Sequence, residues 1–212
     1  MAPPLRAQTP PAAVVRRGEP PVVLAMRERA VPPAVVAVGG PPGSGKSTAG
    51  RAVARAQGLV YHAAGDLFRA EAAHHGMDLE AFSHYAEAHP EVDRRVDETM
   101  SELARPGVLL DGRIQGPLLR RRGVPVHSIV ITALYEVRVA RIAGRDHRAP
   151  EDAARRIRER AESERARYLA EYGIDLETEP ADLVVDSTEL DADAVRERLL
   201  GFLRSLEGAG VS

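Results

Sequence analysis

The apolar run Ala34-Val35-Val36-Ala37-Val38 leads directly into Gly39-Gly40-Pro41-Pro42-Gly43-Ser44-Gly45-Lys46-Ser47-Thr48. Gly40, Gly45, Lys46 and Ser47 satisfy G-x-x-x-x-G-K-[ST] in full, the spacing of a phosphate-cradling loop set between a strand and a helix. Glycines let successive backbone N–H groups turn inward to phosphate oxygens, and a helix beginning near Lys46 adds the positive end of its dipole. In that setting the Lys46 ammonium bridges the β and γ phosphates of ATP, and the Ser47 hydroxyl holds Mg²⁺. A glycine-rich turn formed by chance is the rival reading. It leaves unexplained why Lys46 is the single lysine among 29 Lys+Arg.

The other motifs prune what such a loop can serve. The base-reading Asn-Lys-x-Asp of GTPases cannot occur where the only lysine is already in the cradle, and no Leu-Ser-Gly-Gly of transporter ATPases is present. At 212 residues the chain has no room for the extra domains of large ring ATPases. The classes left are small phosphotransferases and catalytically silent nucleotide sensors. With 29 Lys+Arg against 31 Asp+Glu the net charge is -2, which gives no wholesale attraction to nucleic acid or an anionic membrane. The absence of cysteine excludes disulfides, thiolate zinc sites and cysteine nucleophiles, and suits a reducing cytoplasm. Apolar runs of five or six residues fall far short of the ~20 that a membrane span needs.

Eight of the 16 prolines lie in residues 1–33, where no period persists, so this stretch reads as a disordered arm. It is a poor signal peptide, since Val22–Met26 is too short an apolar core, and Met26 is a candidate alternative start. From residue 34 to 206, β-branched runs alternate with amphipathic stretches, the pattern of βα units around a parallel sheet. Strands are expected at 34–38, 59–62, 107–110, 127–132 and 182–185. Helices are expected at 46–57, 66–75, 79–88, 91–105, 135–144, 151–171 and 191–206, with a tail at 207–212. The three helical segments within 66–105, with no strand among them, suggest an inserted helical subdomain.

Two motifs stand at strand C-terminal ends, where open parallel sheets bind ligands. Gly65-Asp66-Leu67-Phe68-Arg69 follows the second strand, with Asp66 a candidate N-cap, and Asp111-Gly112-Arg113 follows the third. A guanidinium offers two parallel donors to a phosphate and stays charged, so Arg69 and Arg113 are candidate phosphate grips. A solvated Arg69, and an Arg113 paired with Asp111, are the plainer readings. Residues 138–167 carry ten arginines against six acids, a local excess that the near-neutral total conceals. Phosphoryl transfer uses positive groups placed around a loose transition state rather than a covalent nucleophile.

Taken together, these segments and Met77–Glu87, Pro90–Asp93, Arg141–Arg145, Glu162–Tyr168 and Tyr172–Asp175 resemble the nucleoside monophosphate kinases, most nearly the archaeal-type cytidylate kinases. The resemblance runs from about Val35 to Leu200. It implies a five-stranded parallel sheet of the P-loop kinase type, an acceptor-binding helical insert and a short lid at 145–151 within a lid region 145–160. It implies ATP bound by Gly40, Pro41, Pro42, Gly43, Ser44, Gly45, Lys46, Ser47 and Thr48 with Arg141 against the donor base, and Mg²⁺ oriented by Ser47 and Asp111. Asp66, Arg69, Arg113 and Glu162 are implied on the acceptor, and Lys46, Arg145, Arg158 and Arg165 around the transferring group. Arg158, Glu162 and Arg165 stand at i, i+4 and i+7, on one helix face, although a solvated Arg/Glu ladder has the same spacing.

Cytosine offers an N4 amino donor beside N3 and O2 acceptors, which an Asp with an Arg or Ser would suit. Asp93 and Asp97 share a helix face, with Arg94 and Ser83 near in sequence, and an ordinary charged face is the rival explanation. The seven histidines show no metal spacing. The expected activity is transfer of the γ-phosphoryl of MgATP to CMP or dCMP by a cytoplasmic monomer or weak dimer with no nucleic-acid or membrane partner. Phosphorylation of another small metabolite, and a non-catalytic nucleotide-binding regulator, are the alternatives.

Overall fold

The computed structural model describes Pro32 and residues 34–209, with side chains to residue 206. The arm at 1–33, apart from Pro32, and the tail beyond Ala209 lie outside the described residues, and so does the alternative start at Met26. In chain order the elements are β1 (Val35–Gly39), α1 (Lys46–Gln57), β2 (Val60–Ala63), α2 (Ala64–His74), α3 (Leu79–Ala88) and α4 (Pro90–Glu102). They continue with β3 (Val108–Asp111), α5 (Gln115–Arg121), β4 (Val126–Thr132), α6 (Tyr135–Asp146), α7 (Pro150–Tyr172), β5 (Leu183–Asp186) and α8 (Ala192–Ala209). The strands form one parallel sheet in the order β2-β3-β1-β4-β5.

The unbroken apolar run of β1 follows from its central place, since a strand covered on both faces has no polar side to alternate with. Val36 and Val38 point into the core beneath α1 and α8, with Val53, Ile129, Leu199 and Leu203. Val35 points to the opposite face and packs with Leu110, Leu119, Val96 and Met100. From β1 the chain turns to β2 at one edge, returns through β3, and after α5 crosses to β4 and β5 at the other. Beyond the C-terminal end of β1 these connections diverge and leave a crevice, the switch point at which sheets of this kind bind ligands.

All five expected strands and seven helices are present, each within a few residues of its expected limits. The eighth helix, α5, has only seven residues and contains Gly116 and Pro117, so its sequence has no helical period to announce it. A side chain at Gly116 would collide with Ser128 of β4, so α5 is pressed closely against the sheet. α2 starts at Ala64, ahead of Asp66, and Asp66 therefore lies in the first turn rather than at the N-cap. α8 runs to Ala209, past the expected boundary at 206.

α2, α3 and α4 close around their own small core of Phe68, Ala72, Phe82, Ala86 and Val92. Asp78 caps α3 by accepting from the Ala81 N–H at 2.8 Å, and Pro90 occupies the first turn of α4. α6 and α7 form a hairpin sealed by Val139, Ile142, Ala143, Ala153 and Ile157. The corner between them takes only three residues, with His147 in the left-handed region at φ 51° and Pro150 restarting the helix.

Candidate active site

The loop after β1 is shaped by glycines whose geometry admits no substitute. Gly40 has φ 137°, and a Cβ there would run into the Ile131 carbonyl oxygen. Gly43, at φ 83°, lies so close to the Arg138 backbone of α6 that a Cβ would come within 2.8 Å of its carbonyl oxygen. The loop ends at Lys46, the first residue of α1, so its amides and the helix N-terminus converge on one spot. Ser44 is fully buried beneath the loop, its hydroxyl without a partner among the described residues, while its carbonyl accepts from the Ser187 hydroxyl at 2.9 Å.

Two pockets meet at this loop. The smaller, about 400 Å³, is lined by Gly43, Ser44, Gly45, Lys46, Ser47 and Thr48 together with Arg141, Arg145 and Ser187 and the start of α8. Arg141 is fixed there by two bonds to Ser187, donating to its hydroxyl at 2.9 Å and its carbonyl at 2.7 Å. The larger, about 630 Å³, runs from Pro42, Gly43, Lys46 and Ser47 past Arg69, Asp111 and Arg113 to the insert and α7. Gly43, Lys46, Ser47, Ile142 and Arg145 belong to both. Gly40 and Pro41 line neither pocket and act through the shape of the loop.

At the junction Lys46 faces Asp111, Arg113, Arg160 and Glu164. Its burial is the main influence lowering its pKa; Arg160 and Arg113 add to this and Asp111 opposes it. Asp111, at the end of β3, accepts from the Tyr61 hydroxyl at 2.5 Å. Burial first, and this bond second, push the Tyr61 phenol up, so it remains a neutral donor. Arg51 lies over the Tyr61 ring at 4.6 Å. Asp111 and Ser47 bring hard oxygen donors to the junction. That fits Mg²⁺, which keeps most of its waters and takes one or two protein oxygens besides phosphate.

Glu164 of α7 is only 5 % exposed. Its carboxylate lies 2.7 Å from Arg160 Nε and 2.8 Å from Arg113 Nη1. Burial pushes Glu164 up, but Arg160 and Arg113 more than offset it and hold the carboxyl below its ordinary value. The Arg113 contact is an ion pair without hydrogen-bond alignment, so Arg113 Nη1 and Glu164 Oε2 are both buried with no hydrogen bond among the described residues. An Arg donor left so at the mouth of an arginine-lined cleft suits an incoming anion. Arg69 lines the same cleft and is held by Asp66, which also lies 3.3 Å from Arg51. Asp66 itself stands outside the lining, with its carboxylate on Arg69.

Three expected members of the site on α7 do not reach it. Arg158 is exposed and donates to the Tyr135 hydroxyl at 2.8 Å, Arg165 pairs with Asp175 at 2.9 Å and Glu177 at 3.1 Å, and Glu162 faces solvent. The face of α7 that lines the cleft carries Arg156, Arg160, Ser163, Glu164 and Arg167 instead. Ala153 and Ile157 pack against α6, and the same stripe continued along the helix arrives at Glu164 and Tyr168. A charged residue prolonging an apolar stripe is the signal from which Glu164 was readable.

The far end of the larger cleft lies between the insert and α7. Asp93 and Asp97, 7 % and 3 % exposed, line it together with Ser83 and Glu87 of α3. Arg167 Nε donates to Asp93 Oδ2 at 2.6 Å, and Arg167 also binds Ser163, which donates to Glu87 at 2.7 Å. Burial raises the Asp93 pKa against the pull of Arg167. Asp97 accepts from Tyr172 and Gln115 at 3.0 Å each, yet burial still pushes it up to about 7. Arg94 points away and pairs with Glu171 at 2.9 Å.

A family model described as an AAA domain matches residues 36–170. The chain is 42% identical over 167 residues to a cytidylate kinase of Pyrobaculum aerophilum, covering 76% of this chain and 89% of that protein. A cytidylate kinase of Archaeoglobus fulgidus is 39% identical over 168 residues, covering 78% and 92%. The chain belongs to the cytidylate kinase family. It is a P-loop kinase, and its fold is shared more widely. A shikimate kinase from Bacteroides thetaiotaomicron superposes with a TM-score of 0.57 at 16% identity, over 80% of this chain and 98% of that one. A gluconokinase from Sinorhizobium meliloti gives 0.57 at 21%, over 85% and 97%. Among the described residues no helix is long and apolar enough to cross a membrane.

Proposed function

We propose that this kinase transfers the γ-phosphoryl group of ATP to the α-phosphate of CMP or dCMP, giving ADP and CDP or dCDP. The observation that carries the proposal is the meeting of two nucleotide-sized pockets at Lys46, with a phosphate cradle on one side and Arg69 and Arg113 on the other. Its membership of the cytidylate kinase family supplies the acceptor.

The donor triphosphate lies in the cradle, its base toward Arg141, with Lys46 against the β and γ phosphates. Ser47 and Asp111 are the groups to hold Mg²⁺, which when bound neutralises charge across those phosphates. Arg69 and Arg113 grip the acceptor phosphate and aim one of its oxygens at the γ-phosphorus. A new P–O bond forms as the bond to the β–γ bridging oxygen breaks, and the electron pair leaves with ADP. Lys46, Arg113, Arg145 and Arg160 surround the equatorial oxygens, where positive charge stabilises the transition state most effectively. Arg145 is held by Asp146 at 2.6 Å beside the α6–α7 corner, and its release toward phosphate accompanies closure of that corner. Closure excludes water and suppresses hydrolysis of the donor.

The test is ADP formation from MgATP with CMP, dCMP, UMP, AMP and GMP offered separately at matched concentrations. Preference for CMP or dCMP is expected. A folded, ATP-binding protein that uses none of the five would overturn the proposal and direct the search to another acceptor at Arg113.

A further inference from the structure

Asp111 and Lys46 face each other across the junction with opposite charges, and both serve a bound nucleotide only while they stay apart. A carboxylate that swung onto the ammonium would neutralise the one lysine of the cradle and take an oxygen donor from the place proposed for Mg²⁺. Asp111 acts on Lys46 through its charge alone, with no hydrogen bond between them among the described residues. Its carboxylate is bonded elsewhere, Oδ2 accepting from the Tyr61 hydroxyl at 2.5 Å. The strand register explains that reach. Tyr61 of β2 stands beside Leu109 and Ala63 beside Asp111, so Tyr61 and Asp111 share one face of the sheet, and a phenol is long enough to span the two positions between them. The ring is held from two sides. Gly50 of α1 leaves it room, since a Cβ there would come within 3.3 Å of Tyr61 Cε2, and Arg51 lies over the ring at 4.6 Å. Tyr61 lines neither pocket, so whatever it does for a ligand passes through Asp111.

We infer that Tyr61 is a positioning residue: its hydroxyl anchors Asp111 Oδ2, keeps the carboxylate off Lys46 and leaves Oδ1 for Mg²⁺ or a water on it. A hydroxyl donating to a carboxylate makes a short bond, about twice as strong as one between neutral groups. Residues that orient the groups around a metal commonly change its affinity by about 10- to 100-fold. Phenylalanine at this position keeps the packing on Gly50 and the face under Arg51, but frees Oδ2 to turn toward Lys46. The inference rests on the Mg²⁺ placement within the proposed function and is independent of which acceptor is phosphorylated.

The experiment uses Mn²⁺, a paramagnetic stand-in for Mg²⁺, and a non-hydrolysable ATP analogue, with the protein in excess so that the nucleotide is bound. Electron paramagnetic resonance then gives the Mn²⁺ affinity of the wild type, Tyr61→Phe, Asp111→Asn and the double variant. Tyr61→Phe should weaken Mn²⁺ binding by about tenfold, and Asp111→Asn by at least as much. On the Asp111→Asn background, Tyr61→Phe should add less than about twofold, because the two changes act on one interaction. In steady-state assays the Tyr61→Phe loss should appear as a raised Mg²⁺ requirement that excess Mg²⁺ restores, with KM for the acceptor unchanged. Metal would not rescue a fold that had merely loosened. If Tyr61→Phe does not accumulate, Tyr61→Met, which fills the space without a donor, is read in the same way. An unchanged Mn²⁺ affinity in Tyr61→Phe, or an equal loss whether or not Asp111 is present, overturns the inference and leaves the proposed phosphoryl transfer standing. An Asp111→Asn protein that binds Mn²⁺ as the wild type does removes Asp111 from the metal site and the inference with it.

Discussion

Lys46 carries the most concentrated role of any residue in the chain. It is the sole lysine, it belongs to both pockets, and it faces Asp111 across the junction. Replacing it with Met preserves most of its apolar stem, so folding should be retained. Turnover should fall by about 100- to 1,000-fold, the loss typical of one preorganised donor in a phosphoryl or acyl transition state. A coupled ADP assay alongside a thermal melt checks both halves of that statement. Asp97 makes a different prediction. Its carboxyl titrates at about 7 in the folded protein against 3.8 for an unperturbed group. Between those values the folded state holds a proton that the unfolded chain has lost, so this residue's contribution to stability is full below about pH 4, declines as pH rises towards 7 and is gone above it. The loss is on the order of 4 kcal/mol at most. Urea midpoints at pH 5 and pH 8 should separate the wild type from Asp97→Asn, the variant losing less stability across that interval. Equal losses in the two proteins would show that Asp97 does not carry the proton.

At the scale of elements, α7 decides which arginines matter. Its sequence places arginines and acids on every face, and the i, i+4, i+7 spacing of Arg158, Glu162 and Arg165 is matched by the side that includes Arg156, Arg160, Ser163 and Arg167. Packing chooses between them, since Ala153 and Ile157 must cover α6 and Tyr168 must reach Ile114 and Ile174. Arg160→Ala is therefore expected to lower kcat by about 100-fold. Arg158→Ala and Arg165→Ala, which remove exposed pairs, should stay within a few-fold of wild type in kcat and within about 1 kcal/mol in stability. The reverse ranking in steady-state assays would show that the other face turns inward during turnover. α5 illustrates a second limit of reading by period. Seven residues with Gly and Pro in the first turn form a helix because Leu118 and Leu119 are drawn into two cores, not because their local preference is strong.

The whole molecule is built around two pockets sharing a seam. The α6–α7 hairpin stands over both pockets and touches the insert through Arg156–Glu80 at 2.6 Å, Ser163–Glu87 at 2.7 Å and Arg167–Asp93 at 2.6 Å. The first two are partly exposed contacts of the kind that exchange easily, which suits the closure proposed for this hairpin. On the proposed function, an analogue joining two nucleosides through five phosphates should span both pockets. It should bind more than about 100-fold more tightly than ATP or CMP alone, because the second half binds as a tethered group at high effective concentration. Isothermal titration provides the comparison, and an affinity no better than that of ATP would mean that the two pockets are not filled in one line.

The sequence by itself determined the cradle and the layout of the sheet. Gly40, Gly45, Lys46 and Ser47 are neighbours along the chain, and buried parallel strands are continuous apolar runs, so both are local patterns. Arg69, Asp111 and Arg113 were also within reach, since each stands just beyond a strand whose C-terminal end faces the ligand. The placement of Asp66 outside the cleft, the inward face of α7 and the pairings Arg113–Glu164 and Asp93–Arg167 belong to the tertiary structure alone. Each joins side chains more than 50 positions apart or selects one helix face among several equally charged ones. A short-range period carries no information about which face the rest of the chain will cover.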